Sequence, residues 1–225
     1  MKRHTLNIVL CLLSIFIACN SNKNTGDGIE NVINIVNNSS DLTKIPTVTN
    51  HNNSGFYYDL RNLKRQLNIT NLSSSSGTLE FRAWFDLPGL ILRQRLFILK
   101  YTDGKFSSSL TKFKVDWWTD RKKDPVVIYS EITSGIPKSG WDNFSKRLFT
   151  NDFLSIFDID KNPTGTPGID GNFYCFELIA DKHYWMSAFR DPNDEDQNVK
   201  IFRLLTKITM LIEEEFNFSN KSFVE

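Results

Sequence analysis

Apolar residues recur along this chain with two different periods, and the points where one period gives way to the other divide it into elements. Phe56, Leu60, Leu63 and Leu67 fall at helical spacing, with Arg61, Lys64 and Arg65 on the remaining faces, which predicts a short first helix. The run Ser73–Gly77 ends that unit. Leu79, Phe81, Ala83 and Phe85 then alternate with Glu80, Arg82, Trp84 and Asp86, the two-residue period of a strand with one buried face. Asp103-Gly104 lies between two alternating segments and predicts a hairpin, because a type I′ turn needs positive φ at both central residues. In that register Tyr101 faces Phe106 and Phe97 faces Leu110. Phe97, Leu99, Tyr101, Phe106 and Leu110 then form a core face, and Lys100, Ser107, Ser109 and Thr111 a wet one.

Further along, residues 126–133 read as a strand. Ser139 with Asp142 three positions on has the form of a capping box, and Trp141, Phe144 and Leu148 continue a helix from about residue 140 to 150. Pro163, Pro167 and three glycines mark 158–171 as a loop. Residues 172–180 and 183–190 form a second hairpin around Asp181-Lys182. It puts Tyr174, Phe176, Leu178, Trp185 and Phe189 on one face and Cys175, Glu177, Tyr184, Met186 and Arg190 on the other. A last helix spans about 198–215, with Ile201, Leu204, Leu205, Ile208, Leu211 and Ile212 as its buried stripe. The pattern predicts an α+β domain with an antiparallel sheet of about five to seven strands and helices packed mainly on one side.

The first residues follow a different logic. Met-Lys-Arg-His precedes a 14-residue apolar run, residues 5–18, which leads into Phe16-Ile17-Ala18-Cys19. As a helix that run would reach roughly 21 Å at 1.5 Å per residue, short of the roughly 30 Å hydrocarbon core, so it reads as a secretory signal rather than a span. The four residues 16–19 resemble the lipobox of bacterial lipoproteins, in which the cysteine is acylated, as with palmitate, and becomes the mature N-terminus. Acyl chains on Cys19 would anchor the protein at about 0.8 kcal/mol per buried methylene. The organisation expected is a signal peptide over 1–18, an Asn-rich tether over 19–55 and one domain over 56–225.

Removing residues 1–18 takes two basic and no acidic residues from totals of 27 and 26, so a net charge of +1 becomes −1. No basic excess marks a nucleic-acid binder. Only Cys19 and Cys175 of the three cysteines would remain, and with Cys19 acylated no internal disulfide can form.

Ser139-Gly140-Trp141-Asp142, the stretch Asp170-Gly171-Asn172-Phe173-Tyr174 with Glu177, then Tyr184, Phe189 and Pro192, and the run Ile212-Glu213-Glu214-Glu215-Phe216 resemble a family of small exported bacterial proteins of unknown function, many of them lipoproteins. The likeness extends over about residues 78–218. Trp185 and Asp191 stand where the family pattern has arginine and asparagine. The resemblance implies a fold and an envelope location and assigns no catalytic residue.

Candidate chemistry is thin. There is no Gly-x-Ser-x-Gly elbow, and past the signal the histidines are His51, in the tether, and His183, beside a hairpin turn. Cys175 and His183 fall about five residues apart along paired strands, roughly 17 Å, too far for a catalytic dyad. Asp158, Asp160 and Asn162, with Asp170, have the alternating oxygens of a calcium loop, but Pro163 stands where that loop needs glycine and Ile169 where it needs glutamate. Glu177, Asp142 and Asp152 are the carboxylates a hydrolase would use. Glu177 sits near Arg190 and Tyr184 on the less apolar hairpin face, where a surface ion pair or a fold contact is expected. Trp118, beside Trp117 and the basic run Arg121–Lys123, is a candidate contact for a sugar or a protein partner, together with Glu177 and Tyr184. The expectation is a lipid-anchored cell-envelope protein, without a cofactor, whose domain is an interaction module. Its partner would be an envelope protein or a glycan, and the alternatives are a carbohydrate or small-ligand module and a carboxylate hydrolase.

Overall fold

The computed structural model describes residues 54–69, 79–87, 94–116, 126–150, 152–157, 173–180, 183–190 and 200–218. They form helix α1 (Ser54–Gln66), strands β1 (Leu79–Leu87), β2 (Gln94–Thr102), β3 (Lys105–Asp116) and β4 (Val126–Ser134), and helix α2 (Trp141–Leu148). A 3-10 helix (Phe153–Phe157), strands β5 (Phe173–Ala180) and β6 (His183–Arg190) and helix α3 (Lys200–Phe216) complete them. The six strands make one antiparallel sheet in the order β4-β3-β2-β1-β5-β6. The fold is α+β.

Both hairpins keep the register that their turns dictate. Tyr101 pairs with Phe106 and Phe97 with Leu110, and Asp103 and Gly104 have φ of 52° and 75°, as a type I′ turn requires. In the second hairpin Cys175 pairs with Ala188 and Ala180 with His183.

One face of the sheet carries the larger core. Phe81, Ala83 and Phe85 of β1, Phe97 and Leu99 of β2, and Phe176 and Leu178 of β5 pack there against Phe144 and Leu148 of α2, Phe153 and Phe157 of the 3-10 helix, and Leu205, Ile208, Leu211 and Ile212 of α3. The opposite face, expected to be wet, carries a second core. Leu60 and Leu63 of α1, with Leu67 just past its end, cluster with Trp84, Leu96, Ile98, Phe113, Val115, Cys175 and Met186. Strand β1 lies inside the sheet and is therefore buried on both faces, which puts Arg82, Trp84 and Asp86 out of solvent as well. Apolar and polar residues alternate along it, yet that alternation separates two interiors rather than core from water.

Helix ends fix how the helices seat. Asn68 has φ 53°, and the Ile69 and Asn68 amides donate to Lys64 O and Arg65 O at 2.8 and 3.2 Å, a Schellman ending for α1. Asn217, with φ 53°, closes α3 in the same way, with Phe218 N donating to Glu213 O at 3.1 Å. The expected capping box at Ser139 does not form. The residue before α2 is Gly140 at φ 79°, no side chain caps the helix, and the Ser139 hydroxyl is buried without a hydrogen-bond partner. Glu215 of α3 supplies the fixation instead. Its Oε2 accepts the Ser139 amide at 2.8 Å, its backbone carbonyl accepts the Lys138 amide, and its Oε1 accepts from Arg147 of α2. A carboxylate beside the first turn of α2 also complements that helix dipole.

Arg95 of β2 ties the sheet to the C-terminal end of α3. Its Nε donates to Asp86 at 2.8 Å, and its Nη1 donates to Glu213 at 2.5 Å and to the Phe218 carbonyl at 2.6 Å. Its guanidinium also lies 5.2 Å from the Phe85 ring centre and 5.6 Å from that of Phe218. Asp86 is reached because β1 changes register against β5 between Trp84 and Leu87, with Asp86 at φ 61°. Arg95→Ala leaves the Asp86 carboxylate buried without this partner, so it should lower unfolding free energy by about 3–5 kcal/mol. Denaturant midpoints at unchanged slope are the measurement, and a loss below about 1 kcal/mol would show that Asp86 does not depend on Arg95.

Candidate functional site

Two features stand out on the side of the sheet covered by α1, and the first is a buried polar cluster around Glu177. Alternation along β5 places Glu177 on that face between Cys175 and Ile179, and β1 brings Arg82 opposite it and Trp84 opposite Cys175. Its exposure is 0%, so of the two expectations, a surface ion pair or a fold contact, the pairing is an interior fold contact and not a surface one. The cause is α1, which lies over this face and brings Lys64 onto Glu177 Oε1. Trp84 Nε1 donates to Oε2 at 2.8 Å and the Tyr184 hydroxyl donates to Oε1 at 2.7 Å. Arg82 Nη1 lies 3.9 Å from Oε2. The expected neighbour Tyr184 is therefore present, while Lys64, Trp84 and Arg82 had not been associated with Glu177.

The electrostatics follow from that geometry. Burial alone would raise the Glu177 carboxyl, but the Lys64 charge and hydrogen bond, the Arg82 charge and the Trp84 hydrogen bond outweigh it and hold the group below its ordinary value of 4.5. Burial, and then the Glu177 charge, raise the Tyr184 phenol, which stays protonated and donating. Burial and Glu177 likewise push the Cys175 thiol well above its ordinary value, against the opposing Lys64 charge. A carboxylate held ionised by these donors and a thiol held protonated are stable partners, neither poised to give or take a proton near neutral pH.

Beside the cluster the face opens into a recess of about 160 Å³ lined by Leu67, Asn68 and Ile69, by Glu80, Arg82, Ile98 and Lys100, and by Ser109, Thr111 and Ile132. Glu80 bridges its two cations, accepting from Arg82 Nε at 2.7 Å and lying 3.4 Å from Lys100 Nζ.

The second feature is the outer strand β4. Ile128 and Ile132 are 55% and 62% exposed, and Val126, Tyr129 and the following Ile136 are also exposed. Of its nine residues, VVIYSEITS, only Glu131 is charged.

The remaining candidates separate. Asp142 lies on α2 and Asp152 precedes the 3-10 helix, both on the other side of the sheet from Glu177, so these carboxylates do not form an acid-base pair. Asp152 pairs instead with Lys200 at 3.0 Å. Cys175 is buried, toward the opposite end of the β5-β6 ladder from His183. Trp118 and the loop residues Asp158, Asp160, Asn162 and Asp170 lie outside the described residues, as does Cys19. Among the described residues no group of three or more His, Cys, Asp or Glu is placed to hold a metal ion, and no helix is long and apolar enough to cross a membrane.

Two measurements test the cluster. The folded pKa of Glu177 is depressed, so its contribution is complete above the ordinary value and is lost as pH falls through the folded one. Glu177→Gln should cost about 3 kcal/mol at neutral pH, and the gap to the unsubstituted protein should narrow below pH 4.5. A gap that is constant from neutral to acid would remove the charge argument. Cys175 should resist alkylation by iodoacetamide in the folded protein and react on denaturation, and rapid labelling of the native thiol would contradict its burial. Compared with known proteins, the chain matches no family, no curated protein and no solved structure.

Proposed function

We propose that the protein is a membrane-tethered lipoprotein of the bacterial cell envelope whose domain binds another polypeptide chain through the outer edge of β4. The observation that carries the reading is the exposure of Ile128, Tyr129 and Ile132 on an outer strand. An outer strand presents unpaired backbone donors and acceptors, and proteins normally guard it with lysine, proline or a covering element. Strand β4 contains neither lysine nor proline. Helix α1 reaches it at its start, where Gln66 Oε1 accepts the Val127 amide at 2.8 Å. Backbone pairing with an added strand, and apolar contact to the isoleucines, are the interactions such an edge offers.

The anchor rests on Phe16-Ile17-Ala18-Cys19 after an apolar run too short to span a bilayer. A small-ligand reading has the recess over Ile98 in its favour. Its 160 Å³ is well below the roughly 300–1,000 Å³ of ordinary ligand pockets, and its charges are already paired with one another.

Ile132→Lys should abolish capture of the partner by crosslinking on intact cells while changing stability by no more than about 0.5 kcal/mol. Undiminished capture by the Ile128→Lys, Ile132→Lys double variant would overturn the edge as the binding surface. Cys19→Ala should move the protein from the membrane fraction to the soluble fraction, and unchanged retention would overturn the anchor.

A further inference from the structure

We infer that the recess over Ile98 is a binding site for a short aliphatic group that carries a carboxylate, either a free acid or the C-terminal residue of a polypeptide. The inference stands apart from the reading of β4, since it needs no strand paired at that edge.

The apolar part follows from the walls. Leu67, Ile69, Ile98 and Ile132 bring branched side chains to the recess. A cavity of roughly 150 Å³ with such a lining holds a molecule of the size of benzene. The 160 Å³ here is small for an ordinary whole ligand and sufficient for one apolar side chain.

The carboxylate follows from the charges. Among the described residues that line the recess, Glu80 is acidic and Arg82 and Lys100 are basic. Glu80 is shared, accepting from Arg82 Nε and lying 3.4 Å from Lys100. Arg82 also lies 3.9 Å from Glu177, but Glu177 already has Lys64. Three cations thus meet two carboxylates, and one positive charge is in excess. That excess is reachable at Lys100, whose side chain is 45% exposed while that of Arg82 is 1% exposed. An ammonium has three N–H donors, of which Glu80 engages at most one. Ser109, paired with Ile98, and Thr111 add hydroxyl donors from β3. A ligand carboxylate meets this surplus of donors and charge, whereas a ligand amine would find the one carboxylate of the lining already held by two cations.

Full-length ¹⁵N-labelled protein in detergent is titrated with isovalerate, with N-acetylleucine, which reproduces a C-terminal leucine, and with the amide of each. Shifts of the Ser109 and Thr111 backbone amides report occupancy of the recess. Both acids should move them, with dissociation constants on the order of 1 mM for ligands of this size, and the amides should bind at least about tenfold more weakly. Tighter binding of N-acetylleucine identifies a polypeptide C-terminus as the source, and tighter binding of isovalerate a free acid. Lys100→Met, which keeps the aliphatic stem, should weaken both acids about tenfold, and Ser109→Leu, which fills the recess, should abolish binding while the rest of the spectrum stays that of the folded domain. Equal binding of acids and amides, or undiminished binding by Lys100→Met, overturns the carboxylate. Binding retained by Ser109→Leu, or no shift with either acid at about 10 mM, overturns the site and leaves the β4 reading to its own test.

Discussion

Glu177 sets the terms for the α1 face of the sheet. An ionised carboxylate with no exposed surface is tolerated only where charge and hydrogen bonds replace the water it has lost. Here Lys64, Trp84 and Tyr184 donate to it and Arg82 stands close by. These residues come from α1, β1 and β6, so keeping the carboxylate charged fixes the helix against the sheet and the sheet against itself. The net energy of such an arrangement is small compared with an apolar replacement, because desolvation offsets most of the attraction. Its consequence is positional. The apolar contacts of Leu60, Leu63 and Leu67 would accept several helix placements, and Lys64 on Glu177 accepts few.

The opposite face meets the same constraint at the end of α3. Glu213, Glu214 and Glu215 occupy the last turns of that helix, where negative charge opposes the dipole. Each is answered by a cation, Glu213 by Arg95 and the other two by Arg147. The unfavourable charges therefore act as tethers to β2 and to α2. The Asn217 ending turns the chain so that the Phe218 ring enters the core and its carbonyl meets Arg95.

Local pattern carried the element order, the fold class and both hairpin registers, because a turn at Asp103-Gly104 or Asp181-Lys182 fixes its pairing within a few residues. Burial of the second face was not legible in that way. Arg82, Trp84 and Glu177 occupy polar positions of an alternating pattern, and nothing nearby in sequence shows that a helix from residues 54–66 returns to cover them. The partners of Glu177 include Lys64, 113 residues away, and Trp84, 93 residues away. One signal was present. A tryptophan on the supposedly wet side of β1, in line with Arg82, is costly to leave in water and suggests a lid. The capping box failed because Ser139 and Asp142 have the right types and spacing, yet Gly140 takes the capping position and a distant carboxylate, Glu215, holds the approach.

The uneven covering of the two faces leads to the open edge. Two helices and a 3-10 helix share one face, whereas α1 covers the other alone among the described residues. A helix with its side chains is about 10–12 Å across, and a nine-residue strand is about 30 Å long, so α1 can shelter only a band of the sheet. Its contacts run from Met186 on β6 to Val115 on β3 and touch β4 at Val127. The recess over Ile98 lies where that band ends, and Ile132 of β4 stands on its rim. A longer helix or a second one would have closed both. Because neither is present among the described residues, the strand richest in exposed isoleucine there is also one of the two outer strands of the sheet, and an added strand pairing with β4 would bring apolar contact to those side chains.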